Sequence, residues 1–271
     1  MPELPEVETF RRALQPVMEG ARFERVVARR RDLRGPLPRR FASRLTGEAV
    51  LRLARRAKWL VADLSSGESL LMHLGMSGSF RIELGPSDAG SRPAGAALAH
   101  DHVVFHMSSG ATITFNDPRR FGTMELVRTA ALNDHRVFRL LGPEPLDDEF
   151  DAARLATALR GKKTSLKAAL SDQRVIAGLG NIYVCEALHY AGLSPLRRAS
   201  ATATPHGAPR DDARRLAAAI RKVLNKALTG SDAFRVYDRE GERCRRSGCR
   251  GIIRRIVQAG RSTFYCPVCQ R

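Results

Sequence analysis

Lysine is scarce in this 271-residue chain: only six of its 46 basic residues are Lys, and the other 40 are Arg. Acidic residues are short too, 28 against those 46, which leaves a formal net charge of +18. No stretch approaches the ~18 consecutive apolar residues of a membrane span, so a membrane-crossing helix is excluded. The start, Met1-Pro2-Glu3-Leu4-Pro5-Glu6, is acidic and has no apolar stretch behind a basic head, so a secretory signal is not expected. Wholesale disorder is excluded by a 43% hydrophobic content, enough for a packed core. The length suggests two domains at roughly 100–200 residues each. The charge fits a soluble, cytoplasmic protein that meets a polyanion. By itself it fits a ribosomal protein, a repressor or an enzyme equally well.

Cysteine is sparse over most of the chain. Four of the five Cys lie in the last 28 residues, as Cys244-x4-Cys249-x16-Cys266-x2-Cys269. Two close pairs with such a spacer read as a four-thiolate zinc site. The spacer Gly251-Ile-Ile-Arg-Arg-Ile-Val is strand-like, and Gly260 offers a turn before Thr263-Phe-Tyr. The expectation is a β-hairpin clamped by one structural Zn2+, a zinc ribbon. Two disulfides are the alternative, disfavoured in a cytosolic chain. Residues 235–271 carry ten Arg and three acids, which suits a reader of phosphate backbones. Cys185 falls on the apolar side of a helical pattern and reads as inert core.

Val7, Phe10, Leu14 and Val17 share helical spacing over residues 5–19, and Pro5 suits a first turn. From Ala21 to about Arg128 short apolar runs alternate with Gly-rich breaks, which reads as an antiparallel sandwich or barrel of roughly eight strands. Gly85 to Ala97 reads as a loose loop and Ala199 to Pro209 as a linker. Helical periods return at Asp151–Arg160, Thr164–Ser171, Asn181–Ala191 and Asp211–Leu228. The expected class is α+β multidomain: an N-terminal helix plus β-sandwich (1–130), a helix–two-turns–helix domain (131–234) and the zinc ribbon (235–271).

Three segments invite chemistry. In Asp172 to Asn181, Gly178 and Gly180 permit close backbone approach, and Asn181 is suited to cap the following helix, whose free amides attract phosphate. An ordinary helical corner explains this segment as well. Asp117-Pro-Arg-Arg-Phe-Gly122 sets two Arg and an aromatic on a tight turn, and Leu74-Gly-Met-Ser-Gly78 exposes Met76. Such tips can wedge into a base stack, although plain hairpin turns look similar.

Taken in order, these motifs resemble a known family. The start Met1-Pro-Glu-Leu-Pro-Glu-Val-Glu-Thr, the Arg56-Ala-Lys58 strand, His73-Leu-Gly-Met-Ser-Gly78, His100-Asp-His, Asp117-Pro-Arg-Arg-Phe-Gly122, Gly180-Asn-Ile-Tyr183 and the four-Cys ribbon are similar to bacterial formamidopyrimidine-DNA glycosylase, nearly end to end. The resemblance implies a bifunctional glycosylase and abasic-site lyase that removes oxidised purines (formamidopyrimidine, 8-oxoguanine) from double-stranded DNA. It implies a monomer in the bacterial cytoplasm, associated with the nucleoid, with one structural zinc on Cys244, Cys249, Cys266 and Cys269. Loss of Met1 would expose the Pro2 amine, which near pKa 8 is partly unprotonated and nucleophilic. Glu3 matches the general acid, and Glu6, about one turn on, helps position the amine. Lys58 matches a lysine at the phosphate beside the lesion. Arg261 matches the arginine of the second elimination. Met76, Arg119 and Phe121 match the residues that fill the void left by a flipped base. His100, Arg119 and Lys163 match DNA contacts and Asn181 a phosphate contact, and His73 and Lys167 match residues near the pocket. A hydrogen-bonded core histidine is an equal reading of His73, and solvated surface cations remain the alternative for Lys58 and Arg261.

Two departures from the family pattern stand out. The first cysteine pair is x4 where x2 is common, a turn that Gly248 still lets close. Only 15 residues, Thr229 to Arg243, join the last helix to Cys244, where the family usually carries about 20 more, including a loop over the flipped base. A weakened preference for 8-oxoguanine relative to ring-opened purines or abasic sites is expected. Lost excision, leaving a lesion-binding protein, is the alternative.

Overall fold

The computed structural model describes residues 2–85, 98–230 and 233–271. Met1, nearly all of the Gly85–Ala97 loop and two residues of the short connection, Ser231 and Asp232, lie outside the described residues. The chain divides into two compact units, Met1–Arg139 and Leu140–Arg271.

The first unit opens with α1 (Leu4–Met18), whose Leu4, Val7, Leu14 and Met18 are buried. Then come β1 (Phe23–Ala28), α2 (Phe41–Leu45) and β2 (Val50–Arg56). β3 (Trp59–Leu64), β4 (Glu68–His73) and β5 (Ser79–Leu84) follow. β6 (Asp101–Met107), β7 (Ala111–Asn116) and β8 (Thr123–Arg128) complete eight strands among the described residues. They form two four-stranded antiparallel sheets, ordered β1-β6-β7-β5 and β2-β3-β4-β8. Side chains of both sheets and of α1 share one core, with Phe23, Leu53, Leu60, Leu70, Phe105 and Phe115 among its members. Alternate residues of the strands enter that core, Leu60, Ala62 and Leu64 of β3 and Val103, Phe105 and Met107 of β6 among them, while Val61, Leu71 and Val104 are buried outside that core, so these strands read as short apolar runs. Periodicity did not reveal α2, because five residues are too few to show a helical period. The Arg56-Ala-Lys58 segment, expected to be all strand, turns at Ala57-Lys58. Arg56 pairs with Trp59, and Ala57 takes φ +53°, the left-handed step of a two-residue hairpin.

The second unit holds α3 (Ala152–Leu159), α4 (Leu166–Leu170), α5 (Asn181–Ala191) and α6 (Asp211–Leu228), then β9 (Arg254–Gln258) and β10 (Arg261–Tyr265). Asp151 and Ser165 accept N–H bonds as N-caps, so α3 and α4 begin one residue and two residues later than their apolar periods suggest. α6 is amphipathic, with Leu216, Ile220, Val223 and Leu224 buried. α5 instead is buried nearly all round, packed against α6 and β10. Ala199 to Pro209 is not a linker: it forms a 3-10 turn at Ala199–Thr202 and a tight loop closed by Ala203 and Pro209, with Ala199 and Thr202 fully buried. No helix among the described residues is long and apolar enough to cross a membrane.

Candidate DNA-processing site

At the start of α1, Glu3 has extended backbone and forms a capping box with Glu6. Glu6 Oε2 accepts the Glu3 N–H at 2.8 Å. That N–H belongs to the peptide joining Pro2 to Glu3, so one carboxylate fixes the plane that carries Pro2. Glu3 itself is only 1% exposed, and Pro2 is half-buried. The positive end of the helix favours both carboxylates there.

Lys58 sits on the β2–β3 turn and is 8% exposed, rare for a lysine. Its neighbour Trp59 lies across the His73 ring, 4.8 Å between centroids. Gly75 N–H donates to His73 Nδ1 at 3.0 Å, so Nδ1 carries the lone pair. Burial, then the charges of Lys58 and Arg34, push His73 down to about 4. His73 is thus a neutral, hydrogen-bonded histidine packed beside Lys58.

Two loops meet at the same end of the sandwich. Buried Asp117 accepts from Gly122 N–H through Oδ2 (2.7 Å) and from Ser77 Oγ through Oδ1 (2.6 Å). Ser77 Oγ in turn accepts the Arg119 N–H at 3.2 Å. Gly75 (φ +63°) lies so close to Phe121 that an added Cβ would stand 2.2 Å from a backbone carbon, so only glycine fits. The lock leaves Met76 41% and Phe121 39% exposed, and the Arg119 guanidinium stacks 4.9 Å from the Phe121 ring centroid. His100, exposed at φ +72°, is tied in because its carbonyl accepts the Asp117 N–H. Lys58, His73, Met76, His100, Arg119 and Phe121 therefore occupy neighbouring loops and strand ends.

In the second unit Lys163 is exposed just before α4. Lys167 is sealed inside at 1% exposure. Burial lowers its pKa, Cys185 opposes that shift, and Arg261 adds to it. Asn181 does not cap α5: Gly180 occupies the cap, and Asn181 turns its amide to donate to the Ser262 carbonyl at 2.8 Å. Asn181 is thereby fixed beside Arg261, which is exposed on the first residue after the β9–β10 turn. Gln173 shapes the preceding turn, accepting from Gly178 N–H and donating to the Leu179 carbonyl.

The Sγ atoms of Cys244, Cys249, Cys266 and Cys269 all lie within 4.8 Å of one another, with Cys244–Cys269 at 3.7 Å and Cys249–Cys266 at 3.6 Å. A tetrahedron of Zn–S bonds near 2.3 Å has edges of about 3.8 Å. The donor set therefore fits one structural Zn2+, and Cys185, expected to be inert, is not one of the four and is buried in the same apolar cluster as Cys244 and Cys266.

Residue spacing missed several supports. Glu186, 3% exposed on α5, accepts the N–H groups of Arg235, Val236 and Tyr237 and so anchors the chain that leads into the ribbon. Asp117 and Gly122 sat in a motif, yet nothing local marked Ser77 as their partner 40 residues away. A buried acidic residue on an otherwise apolar helix, as at Glu186, was the one signal available.

Three domain patterns match this chain: the formamidopyrimidine-DNA glycosylase N-terminal domain over residues 1–124, the H2TH domain of the same enzyme over 141–238, and a zinc finger found in FPG and IleRS over 241–271. A formamidopyrimidine-DNA glycosylase of Bradyrhizobium sp. (strain BTAi1 / ATCC BAA-1182) is 58% identical, with both chains covered in full. That alignment runs over 294 positions, so at least 23 of them lie opposite a gap in these 271 residues. The fold is similar to that of Lactococcus lactis formamidopyrimidine-DNA glycosylase bound non-covalently to DNA with an AP site (TM-score 0.82, 30% identity, full coverage of both chains). It is also similar to MutM in complex with DNA containing carbocyclic 8-oxo-G (TM-score 0.83, 32% identity, full coverage of both).

Proposed function

We propose, because this chain belongs to the bacterial formamidopyrimidine-DNA glycosylase family, that its residues divide the labour of one base-excision reaction as follows. The chain is a DNA glycosylase with abasic-site lyase activity, and a binding protein without excision is not favoured. With Met1 removed, the secondary amine of Pro2 attacks the sugar C1′ of the damaged nucleotide. The bond from C1′ to the base breaks, and the base leaves with a proton while Glu3 protonates the opening sugar. The resulting iminium acidifies the C2′ proton. Its loss expels the 3′ phosphate by β-elimination, and a second elimination expels the 5′ phosphate. Lys58 and Arg261 each pair with one of these phosphates.

The single observation that carries this reading is the Glu6 bond to the Glu3 N–H, which holds Pro2 at a helix start beside a buried carboxylate. Borohydride trapping tests it. A covalent adduct on an abasic-site duplex is expected from the wild type and not from a variant with extra residues ahead of Pro2, whose nitrogen is then an amide. An equal yield of adduct from both rules Pro2 out.

The exposed Met76, Arg119 and Phe121 are proposed to enter the duplex where the base has left. His100, Lys163 and Asn181 are proposed to hold the strand, the last through the second N–H of its amide. His73 is proposed to position Lys58. Lys167 is proposed near the pocket on the strength of its match to a family residue there. The proposed parts are the catalytic sandwich (1–130), the helical DNA-binding part (131–234) and the zinc finger (235–271). The substrate is duplex DNA with a damaged purine or an abasic site, met by a monomer in the cytoplasm at the nucleoid.

A shortened loop between α6 and the ribbon completes the proposal. It is supported by the length of that connection, 15 residues from Thr229 to Arg243. Fewer contacts to the flipped base leave 8-oxoguanine preferred less than formamidopyrimidine.

A further inference from the structure

α5 touches the zinc ribbon at both of its ends. At its start, Asn181 donates to the Ser262 carbonyl. At its last turn the His189 ring, 0% exposed, sets Nε2 3.2 Å from Cys244 Sγ. Arg246, inside the widened Cys244-x4-Cys249 turn, reaches back to the carbonyls of His189 and Tyr190. The first cysteine turn is thus joined to the helix by an imidazole and a guanidinium.

Zinc gives the imidazole contact a direction. A metal-bound thiolate has no proton to offer, so His189 Nε2–H donates and Cys244 Sγ accepts. The other ring nitrogen agrees: Nδ1 is buried with no hydrogen-bond partner among the described residues, as suits the lone pair of that tautomer. Four thiolates around Zn2+ leave a double negative charge in a partly buried site, and N–H donors at sulfur offset it. The Arg246 backbone N–H supplies one such donor to Cys244 at 3.4 Å.

We propose that His189 is a positioning residue of the zinc centre, donating a hydrogen bond to the Cys244 thiolate that orients this ligand and slows loss of the metal. Because the same helix holds Ser262 beside Arg261, metal retention and placement of the β9–β10 hairpin are linked through α5.

Zinc transfer from the folded holoenzyme to a chromophoric chelator tests this, timed for wild type, His189→Leu and His189→Gln. The Leu variant is expected to release zinc about tenfold faster or more. Gln, whose amide nitrogen can donate over a similar reach, is expected to recover much of the difference. Equal release from wild type and the Leu variant overturns the proposal, and so does a Gln variant as fast as Leu. If the Leu variant does not fold, the wild type decides. With an NMR-active cadmium isotope in place of zinc, the His189 Nε2 proton is expected to show scalar coupling to the metal across the hydrogen bond. An Nε2 without a proton, or a proton without that coupling, overturns the proposal. Neither readout involves base excision.

Discussion

Replacing Asp117 with Asn tests how the two loops that carry Met76 and Phe121 are held. The carboxylate is fully buried and accepts two hydrogen bonds, from Gly122 N–H at 2.7 Å and Ser77 Oγ at 2.6 Å. Hydrogen bonds to a charged group contribute about 1.5–3 kcal/mol each, against about 0.5–1.5 for neutral ones. Asn keeps the shape. Its oxygen can face Gly122, and its NH2 must then face Ser77, whose hydroxyl also receives the Arg119 N–H. The hydroxyl proton is left to find another acceptor. Two bonds weakened in this way cost about 2–3 kcal/mol. Asp117→Ala removes both and strands the buried Gly122 N–H, so it is expected to cost about 4 kcal/mol. Urea denaturation at unchanged m-value reads the loss. The functional readout compares two substrates. On the role proposed for Met76, Arg119 and Phe121, excision of a paired, damaged base needs them in register, whereas elimination at an abasic site needs them less. The Asn variant is expected to lose on the order of tenfold more in the first assay than in the second. Stability within ~0.5 kcal/mol of wild type together with an unchanged ratio of the two activities refutes the reasoning.

Acid sensitivity follows from His73. Its folded pKa is lowered, from 6.5 to about 4, so the unfolded chain takes up the proton first as pH falls. The stability involved is present above pH 6.5 and is lost as pH falls toward 4, on the order of 3 kcal/mol in full. Denaturation midpoints of wild type and His73→Phe at several pH values are expected to draw together across that window, and a constant gap speaks against it. Removal of zinc by a chelator is expected to unfold the β9–β10 hairpin and weaken DNA binding, since so short a segment has little core of its own. Circular dichroism and a binding titration check this, and an apo form that binds like the holo form contradicts it. Inserting about 20 residues of a relative's loop after Thr229 is expected to raise 8-oxoguanine excision relative to formamidopyrimidine. An unchanged ratio removes the loop from the explanation of base choice.

Local pattern was enough for much of this molecule. The eight strands, the limits of α5 and α6, and the four thiolates were legible because each reports on its own element: a period of two or 3.6 residues, or two cysteine pairs on tight turns. The ordered motifs from Pro2 to Cys269 were legible because the chemistry proposed for them, with a free amine, a carboxylate beside it and cations for phosphates, calls for particular residue types. Partners far apart in sequence were not legible. Asn181 looked like a helix cap, since cap preference is local, yet its amide is held by Ser262, 81 residues on. Ala199 to Pro209 looked like a linker because its composition is that of a loop, and its burial is decided by what packs over it. Glu186 and His189 fall on a helix with no polar stripe to show which side faces water, and they are buried because the ribbon and its approach cover them. The sequence by itself determined which groups hold a zinc ion and which are proposed to excise a base. Only the tertiary structure decided which of them are locked, by Asp117, Glu6 or His189, because a hydrogen bond forms where folding brings donor and acceptor within about 3 Å, wherever they stand in the chain.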